Sequence, residues 1–325
     1  MYKIVGIGNA LVDVMTMIYD DAVLENFALP KGSMQLVDKA KSELIKTETL
    51  NFNRSLSSGG SAANTIHGLA MLGVETAFIG SIGKDELGDF FENDMKNAGI
   101  KTILSRRNSS TGTAVALISP DSERTFATHL GAAVELGAND LNPGNFTGYD
   151  ILYLEGYLIY NKPLVETACI IAKNENMKIA IDLASYNVVE SNLADFKEII
   201  ETYVDILFAN EEEAKAYTGM GPEEALNAIS KKCEIAVVKV GSKGSWIKRE
   251  SEIIKIGTAE VSVKDTTGAG DLYSAGFLYG YSRNLNLEVC GQYGSLIAGK
   301  VIEILGARMD NSKWNEIKSM MSKVD

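Results

Sequence analysis

The chain has 325 residues, 46% hydrophobic and 23% charged, an ordinary globular mixture long enough for one large domain plus an appendage, or two domains. With 43 acidic residues against 31 basic ones its net charge is −12, which argues against nucleic-acid and anionic-membrane partners, although a local nest of N–H groups can still hold a small anion. Cys169, Cys233 and Cys290 are dispersed and fit free thiols in a reducing cytoplasm, and neither zinc-spaced Cys/His clusters, a signal peptide nor an apolar run of about 18 residues is found.

Tyr2 to Ile7 reads as a short strand ending in Gly8-Asn9-Ala10-Leu11-Val12-Asp13. Polar groups just past a first strand lie where an open α/β sheet binds its ligand. Asn9 and Asp13 suit the hydroxyls of a polyol, though an Asx turn explains a lone Asn or Asp equally well. From Val14 to about Asn53 the pattern is mixed and polar, broken at Pro30-Lys31-Gly32. Ser58-Gly59-Gly60-Ser61-Ala62-Ala63-Asn64-Thr65 then opens a helix into Ile66–Leu72. Gly59 and Gly60 allow close backbone approach. Asn64, one turn in, either faces the same ligand or satisfies backbone.

Thr76–Ile82 reads as a strand and Glu86–Ala98 as a helix, an alternation that predicts a mostly parallel sheet. From Thr102 to Gly131 the rhythm changes: Thr113–Ile118 is a strand, Pro120-Asp121-Ser122-Glu123 a hairpin turn and Arg124–His129 the return strand. With part of 14–50, this segment reads as a small β-rich lid. Arg124 either reaches a substrate or phosphate or is a solvated strand arginine.

Ile151–Leu154 is a strand ending in Glu155-Gly156-Tyr157; Pro163–Asn174 is a helix, Lys178–Ile181 a strand ending at Asp182, and Tyr203–Ala209 a strand ending at Asn210. Glu211, Glu212 and Glu213 suit the dipole of the helix they open, yet Asn210 and Glu213 can also hold a hydrated Mg²⁺ near phosphates. Ile235–Val240 and Ser245–Lys248 are strands around Gly241-Ser242-Lys243-Gly244, either a plain hairpin tip or a loop over a nucleotide. Two apolar helices, Leu272–Tyr281 and roughly Leu287–Leu305, and a terminal helix from Ser312 complete the chain.

The stretch Asp265-Thr266-Thr267-Gly268-Ala269-Gly270-Asp271 lies between an alternating segment, Val261–Lys264, read as a strand, and the Leu272 helix. Gly268 and Gly270 permit a tight turn, and the free N–H groups of the first helical turn favour an anion. A carboxylate, Asp271, beside an anion trap is useful if it accepts a proton; an N-cap is the ordinary alternative. Asp271 stands where a Walker A loop needs Lys, and Tyr273 where a dinucleotide fingerprint needs its third Gly.

Taken in order, Gly59-Gly60-x-x-x-Asn64, Asn210-x-x-Glu213, Gly241-x-x-Gly244 and the 265–271 stretch resemble the ribokinase (PfkB-type) carbohydrate and nucleoside kinases over nearly the whole chain. The resemblance implies a three-layer α/β/α sandwich with a mostly parallel central sheet and a small β-sheet lid. The expected division is 1–13, 51–101 and 130–325 for the large α/β catalytic domain and 14–50 with 102–129 for the lid. It implies that Asp271 is the catalytic base, that the N–H groups of Gly268, Ala269 and Gly270 form the anion hole, and that Asp13, Gly60 and Asn64 bind sugar hydroxyls. It also implies that Asn210 and Glu213 serve magnesium and phosphate, that Lys239, Gly241 and Gly244 lie beside ATP, and that a K⁺ ion can sit beside Asp265 and Thr267.

Within the family, Gly8–Asp13, Leu130–Leu136, Leu154-Glu155-Gly156-Tyr157-Leu158 and Asp271-Leu272-Tyr273 look most like adenosine kinases, especially bacterial ones. Tyr157 would stack on a purine. Ala62-Ala63 departs from the Thr-Gln of eukaryotic adenosine kinases, so a sugar kinase of the same family stays open. So does a non-catalytic nucleoside- or sugar-binding regulator, against which the intact Asp271 turn speaks. The expected protein is a cytoplasmic monomer or homodimer that moves the γ-phosphoryl of MgATP to a small-molecule hydroxyl, with Asp271 kept ionised by the helix start.

Overall fold

The computed structural model describes residues 1–121, 123–258 and 261–323. Its large sheet has nine strands in the order Glu252–Ile256, Ser245–Arg249, Ile235–Lys239, Ile206–Asn210, Lys178–Asp182, Ile151–Glu155, Ile4–Ile7, Thr76–Gly83 and Lys101–Arg107. The strands pair in parallel from Ile235–Lys239 to Lys101–Arg107; the first two are antiparallel additions.

The apolar runs form buried strands because each serves two cores. In Ile151–Glu155, Ile151 and Tyr153 enter one core with Ile66, Phe277 and Trp314, while Leu152 and Leu154 enter the other with Val165, Ile200 and Leu226. This period-2 division puts helices on both faces, giving the expected three layers. Burying one such side chain contributes about 1.5–3 kcal/mol.

A second, mixed sheet of five strands runs Met34–Leu36, Arg124–His129, Gly112–Ile118, Leu11–Met17 and Arg54–Gly59. Helix Lys39–Glu48, capped by Asp38, covers one face, where Ile45 packs with Val12, Val115, Leu117 and Ala127. The other face, with Leu11, Asp13, Ala114, Phe126 and Thr128, lines a cavity.

The observed boundaries differ from the expected ones. Leu11–Met17 and Arg54–Gly59 extend the small sheet beyond 14–50, whereas Lys101–Arg107 pairs with Thr76–Gly83 at the edge of the large sheet. Val261–Lys264 is not a strand: the edge position is taken by Glu252–Ile256, and the backbone N–H groups of Lys264 and Asp265 instead donate to Ile302 O. Tyr203 ends a helix, Leu193–Tyr203, and the Leu287 helix stops at Val301. The hairpin turn expected at 120–123 includes Ser122, which lies outside the described residues. Cys169, Cys233 and Cys290 are free thiols, and among the described residues no helix is long and apolar enough to cross a membrane.

Candidate active site

The strand order reverses around Ile4–Ile7, which has Thr76–Gly83 on one side and Ile151–Glu155 on the other. Such a switch point opens a crevice at the carboxyl ends of the strands. Here it is a cavity of about 1800 Å³, roofed by Leu11, Asp13, Ala114, Phe126 and Thr128 of the small sheet.

Helix Ala269–Ser282 points its N-terminus into this cavity. Gly268 is its N-cap with φ 75°, and a Cβ there would lie 2.5 Å from that of Ala307, so glycine is required. Ala269 N–H is drawn back to Thr266 O at 3.2 Å. Among the described residues the N–H groups of Gly268 and Gly270 have no such partner, which leaves them for an anion.

Asp271 is not the helix cap. Its carboxylate crosses to helix Ser61–Met71, where Ser61 Oγ donates to Oδ1 at 2.7 Å and Asn64 Nδ2 to Oδ2 at 2.9 Å. Thr65 Oγ1 also donates to the Asp271 carbonyl at 3.1 Å. The two helices approach closely because Gly68 faces Ala275 and Leu272. Burial raises the Asp271 pKa; the Asn64 and Ser61 hydrogen bonds oppose the rise and Asp182 adds to it. Desolvation outweighs these donors, so the Asp271 carboxyl lies above the ordinary aspartate value.

Gly60 caps the Ser61 helix at φ 99°, and a Cβ added there would lie 2.1 Å from Asn9 O. Asp13 packs over Gly59 and lines the cavity, its carboxyl pushed up to about 6 by burial, against the opposing charge of Arg308. Glu155 is 1% exposed and accepts from Asn9 N (2.9 Å), Asn9 Nδ2 (2.6 Å) and Ala62 N (2.8 Å). Both its oxygens thus serve the protein, tying the end of the first strand to the Ser61 helix. Burial pushes Glu155 up to about 7. Tyr157 lines the same wall and donates to Ala184 O at 3.4 Å.

Asn210 and Glu213 form a reciprocal capping box with hydrogen bonds of 2.7, 2.7 and 2.9 Å. The cap and the cavity-facing positions therefore coexist. Burial, reinforced by Asp182, pushes Glu213 up to about 7. No group of three or more His, Cys, Asp or Glu side chains among the described residues forms a metal cage. Lys239, Gly241 and Gly244 also line the cavity.

Three expected site residues do not line it: Gly59, Arg124 and Asp265. Arg124 is neither solvated nor directed at the cavity. Its Nη1 meets Asp265 Oδ2 at 2.5 Å and Thr267 Oγ1 at 3.4 Å, with both charged side chains buried. Asp265 also accepts from Thr267 N (3.1 Å), Thr267 Oγ1 (2.8 Å) and Gly306 N (2.7 Å). The cation beside Asp265 and Thr267 in this structure is the Arg124 guanidinium.

Sequence reasoning gave no role to Ser61, Asp182 or Arg308. Asp182 stands at the carboxyl end of its strand, as Asn210 and Lys239 do, and that position was the available signal. Arg308 donates to Ser58 O (2.9 Å) and Ser58 Oγ (2.7 Å) behind Asp13; nothing local in the sequence marks it.

Comparison with known proteins agrees with this geometry. Residues 33–314 match the pfkB family carbohydrate kinase model. A sugar kinase of Archaeoglobus fulgidus, itself uncharacterized, is 30% identical over 250 residues, covering 74% of this chain and 96% of the relative. Among solved structures, a probable sugar kinase from Rhizobium etli superposes with TM-score 0.89 at 33% identity, covering 98% of each chain. The adenosine kinase from Sinorhizobium meliloti does so with TM-score 0.88 at 34% identity, covering 98% of this chain and 99% of that one. The chain belongs to the pfkB family of carbohydrate kinases, phosphotransferases that act on hydroxyl groups of sugars or nucleosides.

Proposed function

We propose that the chain transfers the γ-phosphoryl of MgATP to the 5′-hydroxyl of a nucleoside, with adenosine as the foremost acceptor. The observation that carries the reading is the apolar part of the cavity's lining. Leu36, Leu130, Leu136, Tyr157, Leu158 and Tyr160 all line the cavity, more apolar surface than a bare sugar covers. The likeness to the Sinorhizobium adenosine kinase supports it. A sugar acceptor is the second reading, favoured by the Archaeoglobus and Rhizobium relatives.

In this reading Asp13 and the unpartnered Oδ1 of Asn64 receive the sugar hydroxyls. Asp271 orients the attacking hydroxyl and takes its proton as the new O–P bond forms. The bond between Pγ and the bridging oxygen breaks, and its electron pair leaves with ADP. The N–H groups of Gly268 and Gly270 receive the charge that develops on the phosphoryl oxygens. Asn210 and Glu213 have their caps satisfied internally, so they fit a hydrated Mg²⁺ through its waters rather than a bare ion; the metal would neutralise phosphate charge. The small sheet over the cavity keeps water from competing as acceptor.

ADP release measured across adenosine, guanosine, inosine, ribose and fructose tests the reading. Adenosine should give the highest kcat/KM. A sugar preferred over every nucleoside overturns the nucleoside assignment, and ligand binding without ADP formation from any acceptor would make the chain a binding regulator.

A further inference from the structure

Five carboxylates line the cavity, those of Asp13, Glu155, Asp182, Glu213 and Asp271, against a single cationic side chain among the described lining residues, Lys239. That cation is held in place. Lys239 Nζ donates to Asp182 Oδ2 at 2.6 Å, with side-chain exposures of 14% and 5%. Asp182 is fixed in turn: Ser274 Oγ donates to Oδ2 at 3.2 Å and Ala184 N–H to Oδ1 at 3.1 Å. Ser274 lies on the same helix as Asp271, so one element carries both the catalytic carboxylate and part of the lysine's mount.

The position of the ammonium matters as much as its charge. A Cβ added at Gly270 would lie 3.1 Å from Lys239 Nζ, so the ammonium borders the N–H groups that face the anion site. Burial works against the charged lysine, but Asp182 and Glu213 outweigh it and keep it protonated above the ordinary lysine range. A buried ammonium between three acids costs desolvation and is weak evidence of stabilisation. It is useful where negative charge arrives later, and an ATP γ-phosphoryl brings that charge to this end of the cavity.

We propose that Lys239 is a catalytic residue that contacts the transferring phosphoryl group, and that Asp182 is the positioning residue that holds its ammonium there. The proposal rests on the kinase reading but not on which hydroxyl is the acceptor. As the acceptor oxygen bonds to Pγ and the bridging oxygen departs with its electron pair to ADP, Lys239 keeps its proton and acts by charge and hydrogen bonding. Asp182 stops the long side chain from turning to Glu213 or Asp271, at the cost of sharing the ammonium's donors.

The test compares wild type with Lys239→Met, Lys239→Arg, Asp182→Asn and the charge-free pair Asp182→Asn/Lys239→Met, using the acceptor that wild type phosphorylates fastest. Loss of one preorganised donor costs about 10²–10³ in kcat. Lys239→Met should show that loss and Lys239→Arg should recover part of it. Asp182→Asn should lower kcat with little change in the KM for ATP, because the ammonium remains but is less well placed. Calorimetry supplies a readout independent of turnover: Lys239→Met should weaken a non-hydrolysable ATP analogue about tenfold while leaving ADP nearly unchanged, the pattern of one lost charge-assisted contact to the γ-phosphoryl. If Lys239→Met leaves Asp182 uncompensated and does not fold, the double variant answers in its place. Near-normal kcat in a folded variant lacking Lys239, or equal weakening of ADP and the ATP analogue, overturns the role of Lys239. An unchanged kcat in Asp182→Asn overturns that of Asp182. Should wild type phosphorylate no acceptor, the functional reading fails, while the calorimetric comparison still decides the contact.

Discussion

Ser61→Ala isolates the tuning of Asp271, the carboxylate proposed as the base. Ser61 Oγ donates to Asp271 Oδ1 at 2.7 Å, while Asn64 holds the other oxygen. The helix start survives the change because its N-cap is Gly60, which uses no side chain. A hydrogen bond to a charged group contributes about 1.5–3 kcal/mol, and this one favours the ionised carboxylate, so it holds the Asp271 pKa down against the effect of burial. Removing it disfavours the ionised form and moves the pKa up. In the proposed mechanism the base is active when ionised, so the acid limb of kcat/KM should shift to higher pH. Steady-state rates at saturating ATP across pH measure this, and Ser61→Thr should return the limb toward its original position. An acid limb that stays in place or moves to lower pH refutes the tuning role, whatever happens to the plateau.

Asp271→Asn should lower kcat by about 10²–10⁴ while ADP binding measured by calorimetry is unchanged. Gly268→Ala forces a Cβ toward Ala307 at φ 75° and should cost about 1–3 kcal/mol in urea unfolding. Arg124→Ala strands the buried Asp265 carboxylate and should cost about 3–5 kcal/mol on the same assay; a loss under 1 kcal/mol would mean the pair is not buried in solution. Burial raises Asp13 to about 6 and Glu155 and Glu213 to about 7. Each binds its proton more tightly when folded, so the stability they contribute is full below the unfolded carboxylate range and is lost as pH rises from about 4.5 through 7. The urea midpoint should therefore be lower near neutrality than near pH 5, and a flat profile would contradict the burial of these groups.

Strands that serve two cores were legible because burial on both faces writes a continuous apolar run, as in Ile151–Leu154 and Ile235–Val238. The small sheet was legible only in its hairpin, Gly112–Ile118 with Arg124–His129. Its remaining pairings, such as Leu11–Met17 with Arg54–Gly59, join distant segments that no local pattern connects. Val261–Lys264 shows the converse error: alternation allows a strand but does not supply a partner, and Glu252–Ile256 had already filled the sheet edge. Among the site residues, the glycines were the most readable. Gly60 and Gly268 have positive φ and crowded Cβ directions, constraints expressed at a single position. Charged residues were the least readable, because their roles depend on partners. Arg124 could be recognised as an ion-pair residue only once Asp265 was placed against it.

The net charge illustrates the same limit. A surplus of acid argues against polyanionic partners only where charges are seen through solvent, across a screening length of about 8 Å. The cavity is not such a place. Its acids are spent internally: Glu155 on Asn9 and Ala62, Glu213 on Asn210, Asp271 on Ser61 and Asn64, and Asp182 on Lys239. Of these acids, Asp13 alone lines the cavity without a hydrogen-bond partner among the described residues. Around the start of the Ala269 helix, the N–H donors of Gly268 and Gly270 and the ammonium of Lys239 are available to a ligand. An anionic chain can therefore bind an anionic nucleotide because hydrogen bonding, not composition, decides which charges remain available in the cavity.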